Sequence, residues 1–326
     1  EMLKQRPAGD KSWPVACSRT MLGEPGEELD LSGAHLSYGD FKEATFTGTG
    51  AIKLNGAGLA YADLSGSNLT VENSNGKAII DFSKANLAES DLSGSVITAD
   101  SDSYRWSYGE ATIDFSEANL ANSDLSGSHL TAEGVYGGTI DFTKANLANS
   151  DLSGTKLTAD TMDTGATIDF GGANLANANL SGSELDAHTA FLDATINFTD
   201  ANLTNADLSG SKLTAVQDYD DRFDDDGRYD GGSEDDDDGG TSTIDLSGAN
   251  FAHADLSGSE LTADSVTGLP PSRTPLPSAY PGDLNAWYCS GGFDIESSTW
   301  QDCSGNGMTA TLSGSGLAEL RSAGHG

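Results

Sequence analysis

The chain is short of positive charge, of cysteine and of long apolar runs, and each shortage closes off a class of function. Sixteen Lys and Arg stand against 51 Asp and Glu, a formal net charge of −35 in 326 residues. A surface of that sign repels phosphate and anionic lipid, so neither nucleic acid binding nor membrane insertion is expected. No apolar run approaches the roughly 20 residues that a bilayer-crossing helix needs. Three cysteines are too few for a disulfide scaffold. Phosphate-loop, Ser-His-Asp and zinc-ligand patterns are also missing, and the five histidines are scattered among repeats and tail. An enzyme is therefore not expected. Glu1 opens the chain without a signal-like stretch, which fits a removed leader or a longer polypeptide.

What the chain does contain is a five-residue beat, A-[DN]-L-x-x. Phe82, Leu87, Leu92 and Ile97 show it cleanly, and Phe115, Leu120, Leu125 and Leu130 repeat it. Eight such quartets start at Leu31, Leu54, Phe82, Phe115, Phe142, Phe170, Phe198 and Leu246, and all thirty-two central positions are Leu, Phe or Ile. A period of five fits neither a helix nor a plain strand. It fits a square coil in which each side is one short strand and a turn. The central residue and the small residue two positions earlier point inward, while Asn, Asp, Ser and Gly make the corners. One such coil cannot bury its own apolar side and must stack on neighbours.

The first members are 23, 28, 33, 27, 28, 28 and 48 residues apart, so subtracting twenty per coil leaves inserts of 3, 8, 13, 7, 8, 8 and 28, all leaving by one corner. The small inward position on the first side is instead Leu29, Ile52, Ile80, Ile113, Ile140, Ile168, Ile196 and Ile244, so extra room is expected beside that corner. Eight coils at about 4.8 Å each predict a rod of about 35 to 40 Å with the loops along one edge.

These residues resemble the pentapeptide-repeat family, whose fold is a right-handed quadrilateral parallel β-helix. The resemblance covers roughly residues 29 to 264 and implies the all-β fold; its motif residues are structural and imply no activity. Residues 1–28 are expected to be an N-terminal cap, with Trp13, Val15, Met21 and Leu22 over the first coil. Residues 29–264 form the β-helix, including an acidic insert at 216–243. A Pro-rich linker follows at 265–283, and 284–326 form a short β tail. The tail is similar to the opening of a laminin-G or concanavalin-like jelly-roll module, through Leu284 to Tyr288 and Trp300 to Gly307.

Several residues are candidates for sites. Cys289 and Cys303 are spaced to pair in an oxidising compartment, which leaves Cys17 as a buried thiol or as an intermolecular partner. Twelve acids lie within residues 218–238, where Asp224, Asp226 and Gly227 match part of a calcium loop but Arg222 and Ser233 fail it. Asp224, Asp226 and Asp230 are the calcium candidates, and calcium is the one cofactor considered. Tyr104, Trp106, Tyr108 and Tyr136 fall in inserts on one edge and, with Trp287 and Trp300, are candidates for contact with another chain or a glycan. Asn68, Asn197 and Asn202 begin glycosylation sequons.

The function expected from this reading is a non-enzymatic structural or assembly protein, secreted to a cell surface or appendage, whose partners are copies of itself or other structural proteins. A glycan- or calcium-binding surface module is the alternative. The family resemblance adds a third class, an acidic DNA mimic that inhibits topoisomerase, and a second location, a photosynthetic lumen.

Overall fold

The computed structural model describes residues 17–19, 21–23, 27–73, 76–101, 109–162, 164–217 and 240–268, and the backbones of strands Tyr288–Asp294, Thr299–Asp302, Thr309–Leu312 and Leu317–Arg321. They form a right-handed quadrilateral β-helix with no helical segment among the described residues. The five-residue beat works as the turn chemistry demands. Leu120 N donates to Asn146 O of the next coil at 2.7 Å, and Ser123 N donates back to Leu120 O at 3.1 Å, which closes a corner over Ala121 and Asn122. Asn122 takes the left-handed conformation, φ 58°, as do Asn149, Asn177 and Asn205 at the same corner. Asn is among the few residues that accept that region cheaply.

Two of the four sides are continuous sheets. First-side strands such as Ala111–Asp114 and Gly138–Asp141 stack as a nine-stranded parallel sheet, and fourth-side strands such as His129–Gly134 and Lys156–Thr161 stack in a second. The second and third sides touch only through single-residue bridges such as Asn119 with Asn146 and Asp124 with Asp151. The central residues are buried in every coil except at Phe251 and Leu256 of the last, which are partly buried. Phe82, Phe115, Phe142, Phe170 and Phe198 stack along the axis, with centroids 4.7 to 4.9 Å apart and rings within 4° of parallel.

The inserts do leave by one corner, but those after Leu130, Leu157 and Leu185 are mostly strand and not loop. Between Leu130 and Ile140, residues 131–134 extend the fourth side and Gly138 and Thr139 begin the first, so only Val135 to Gly137 turn. The two extensions face each other across a second row of buried small residues, Ala99, Ala132, Ala159, Ala187 and Ala215 on one side and Ala111, Ala166 and Ala194 on the other. The Ile row, fully buried from Ile52 to Ile244, fills the widening where this wing meets the coil. Thr and Asp in the inserts are the outward half of a strand alternation, which the five-beat pattern obscured.

The ladder also runs beyond the eight quartets. Cys17 N donates to Asp40 O at 2.7 Å and Arg19 N to Lys42 O at 2.9 Å, the pattern that Phe41 and Glu43 make to the following coil. Met21 and Leu22 pair with Thr45 and Phe46. Residues 17–22 are thus a half-coil over the third and fourth sides, with Cys17 and Leu22 in central positions and packed on the core. Met21, expected to cover the first coil, is instead 68% exposed, and Trp13 and Val15 lie outside the described residues. At the other end Ser265–Thr267 adds a ninth first-side strand, with Val266 over Ile244.

Candidate interaction surfaces

Many of the outward Asn and Asp side chains have a local task. Asp91 Oδ1 accepts Ser93 N at 2.9 Å and Ser93 Oγ at 2.6 Å, and Asp124 and Asp151 accept the N–H two residues on in the same way. The second side carries an amide ladder: Asn146 Nδ2 donates to Asn119 Oδ1 at 3.1 Å, Asn174 to Asn146 at 3.0 Å and Asn202 to Asn174 at 2.9 Å. These side chains face solvent with one edge while tying corner to corner and coil to coil.

The first side carries a carboxylate column, Asp81, Asp114, Asp141 and Asp169, stacked in register. Partial burial is the main cause that pushes the Asp114 and Asp169 carboxyls above their ordinary value, with the neighbouring Asp141 adding to it. On the wing, Glu133 is raised by burial first and then by Asp100 and Asp160. Asp245 shifts the other way because Ser247 donates to it from side chain and backbone. Two columns alternate in sign, Lys84, Glu117 and Lys144 at a corner, and Lys156, Glu184 and Lys212 at the starts of fourth-side strands. No group of three or more His, Cys, Asp or Glu arranged to hold a metal is found among the described residues.

The sequence candidates divide clearly. Tyr104, Trp106, Tyr108, Asp224, Asp226, Asp230, Trp287 and Cys303 lie outside the described residues, and Cys289 and Trp300 are placed only as strand backbone. The calcium and disulfide expectations therefore fall outside the description. Tyr136 sits half-buried at the tip after strand His129–Gly134, its N donating to Gly109 O at 2.8 Å. Met162 and Leu192, at the tips of the next two inserts, are 53% and 42% exposed. Of the sequons, Asn68 is exposed, whereas the side-chain amides of Asn197 and Asn202 are engaged, donating to Asp169 at 2.8 Å and to Asn174.

Sequence reasoning passed over two features. Tyr38 and Tyr61, both at left-handed corners, stack at 4.8 Å on the surface, and only their spacing of one coil signalled it. The half-coil at 17–22 does keep the beat of five, from Cys17 to Leu22, but with Cys in the place of Leu.

The two ends differ from the middle. At the carboxyl end the tail forms an antiparallel meander, and its strand Leu317–Arg321 pairs with the fourth-side strand Glu260–Thr262 through Leu261 and Ala318. The tail thus docks on its own last coil.

A family model described as Pentapeptide repeats (8 copies) matches residues 196–216 and 244–263. No curated protein matches the chain. Among solved structures, HetL, a pentapeptide repeat protein involved in heterocyst differentiation regulation from the cyanobacterium Nostoc sp. strain PCC 7120, is 21% identical, with 76% of this chain and 88% of that one covered, at a TM-score of 0.26. Trypsin-treated QnrB1, a plasmid-mediated fluoroquinolone resistance protein, is 16% identical, with 77% and 89% covered, at a TM-score of 0.23. Neither likeness bears on function.

Proposed function

We propose that this chain, whose coils form the β-helix of pentapeptide repeats, is a non-enzymatic structural rod, a subunit of an assembly at a cell surface or appendage. The observation that carries the reading is where the polar groups go. Corner Asp and Ser residues bond to one another, Asn residues bond to the neighbouring coil, and one set of inward Ser hydroxyls, Ser90, Ser123 and Ser150, bonds back to the turn. The repeat's chemistry is devoted to holding coil on coil, and what faces outward is periodic, acidic and flat. Such a body suits spacing and contact, not turnover.

Electron microscopy of native material, with crosslinking, tests this. Rods joined to further copies or to other structural proteins are expected, and protease treatment of intact cells is expected to reach them. Single rods alone in native extracts, at every concentration, would defeat it.

One observation favours a second reading, an acidic mimic of nucleic acid. Two columns, from Asp81 to Asp169 on the first side and from Asp63 to Asp151 on the third, run along opposite faces of the rod, each in register from coil to coil. At about 4.8 Å per coil they supply one charge per about 2.4 Å, somewhat sparser than the one per about 1.7 Å of duplex DNA. Inhibition of a topoisomerase by the purified chain would favour mimicry; the structural reading expects none.

A further inference from the structure

The two ends of the rod supply complementary sides of one coil, three of its four. The amino-terminal half-coil, residues 17–22, supplies a third and a fourth side above the first coil and leaves the first-side strand Leu29–Asp30 as the edge of its sheet. The carboxyl end supplies the missing first side, Ser265–Thr267, below the last coil. If the end of one chain meets the start of another, these parts occupy a single coil. Val266 would stack between Ile244 and Leu29 of the next copy, and Met21 and Leu22 of that copy would lie against Glu260 and Leu261, in the register every internal coil uses.

Burial and charge agree with this fit. Ala249, Phe251, Leu256 and Val266 at one end, and Cys17, Leu22 and Leu29 at the other, are core positions that stay partly exposed. Covering apolar area at the ends is favourable, at about 25 cal/mol per Å². The junction also avoids the like-charge stacking seen in the middle, because its columns read Glu260, Met21, Thr45 and Gly258, Arg19, Glu43, with no two carboxylates adjacent.

One element stands in the way. Strand Leu317–Arg321 of the tail occupies the edge of Glu260–Thr262, running antiparallel where the incoming Met21–Leu22 would run parallel. Both cannot hold that edge. We infer that the tail is a removable cap, and that its release allows a second copy of this chain to add head to tail through a coil shared between the two. This rests on the structural reading above and specifies how such an assembly would grow; an unpaired strand edge is the usual template for that kind of addition.

The test uses the full chain. Ala318→Pro with Leu320→Pro removes donors from the capping strand and leaves the coils untouched. Particles longer than one rod are expected by electron microscopy and mass photometry, while the unaltered chain stays single. Adding Met21→Cys and Glu260→Cys to the proline chain is expected to yield an intermolecular disulfide between those two positions, since paired strands bring Cα atoms within the roughly 4.4–6.8 Å that a disulfide spans. Leu22→Asp on the same background is expected to restore single rods. Should the proline chain fold poorly, a protease site placed within residues 269–283 frees the tail from an already folded rod and makes the same measurement. Rods that stay single after the tail has left, or that grow with linkage anywhere but Met21 to Glu260, overturn the inference. The first of those results leaves the structural reading standing through lateral contacts, whereas native material consisting of lone rods would remove that reading even if freed ends join in vitro.

Discussion

At the scale of single residues the coil distinguishes sharply between positions that look alike in composition. Leu125 is 1% exposed among apolar neighbours, so Leu125→Asp leaves a charge without a partner and costs several kcal/mol, enough to prevent folding. Ser126→Asn, one residue on at the corner, is expected to keep the melting temperature within a few degrees; thermal melts of the two variants check the phasing. The inward serines divide in the same way. Ser123 Oγ donates to Leu120 O at 2.6 Å, while Ser128 Oγ is buried with no hydrogen-bond partner. Ser123→Ala is therefore expected to cost about 1 kcal/mol and Ser128→Ala to cost nothing or to stabilise. Gly127, with φ +63°, has nothing within 4 Å of the position a Cβ would take. The cost of Gly127→Ala is then the backbone cost alone, about 1 to 2 kcal/mol.

At the scale of elements, stacking in register multiplies every choice along a column. It serves Phe82 to Phe198 and the Asn ladder well, and it penalises Asp81 to Asp169, where each coil sets a carboxylate over the last. Asp114, Asp169 and Glu133 are raised above ordinary values, so the folded chain holds these protons more tightly than the unfolded one. Their contribution to stability is complete below the ordinary values and is lost as pH rises through the raised ones. Glu43 and Asp245, lowered in the fold, lose theirs only as pH falls below the usual carboxylate range. Melting is thus expected to be higher near pH 4 to 5 than at neutrality, and added salt at neutrality is expected to recover part of the difference. A flat profile across that range would contradict the column's role. The acidic insert belongs at this scale too. It leaves between completed sides, so a short Gly-Ser link in place of residues 218–238 is expected to preserve the β spectrum and the melting temperature.

For the whole molecule, the charge and the ends decide behaviour. A net charge of −35 keeps rods apart sideways at low salt, whereas end contacts meet no aligned carboxylates. Added salt is accordingly expected to promote lateral association of intact rods, and the freed ends of tail-released rods are expected to join even at low salt. Light scattering against ionic strength separates the two.

The five-residue beat by itself determined the coil, the inward rows and the single corner of insertion, because those follow from which side chains must leave water at a fixed spacing. The Ile row likewise announced a widened corner. Three things waited for the tertiary structure. Thr and Asp in the inserts read as loop, and only pairing with the next coil makes Thr131 to Gly134 a strand over buried alanines. Cys17 to Leu22 kept the beat but lacked its usual letters, and hydrogen bonds to Asp40 and Lys42 are what join it to the ladder. The direction in which the tail meets Glu260–Thr262 depends on contacts between residues more than fifty positions apart. A local pattern reports burial, whereas the partner of an edge strand is set by whichever distant segment can reach that edge, and no spacing within the strand encodes it.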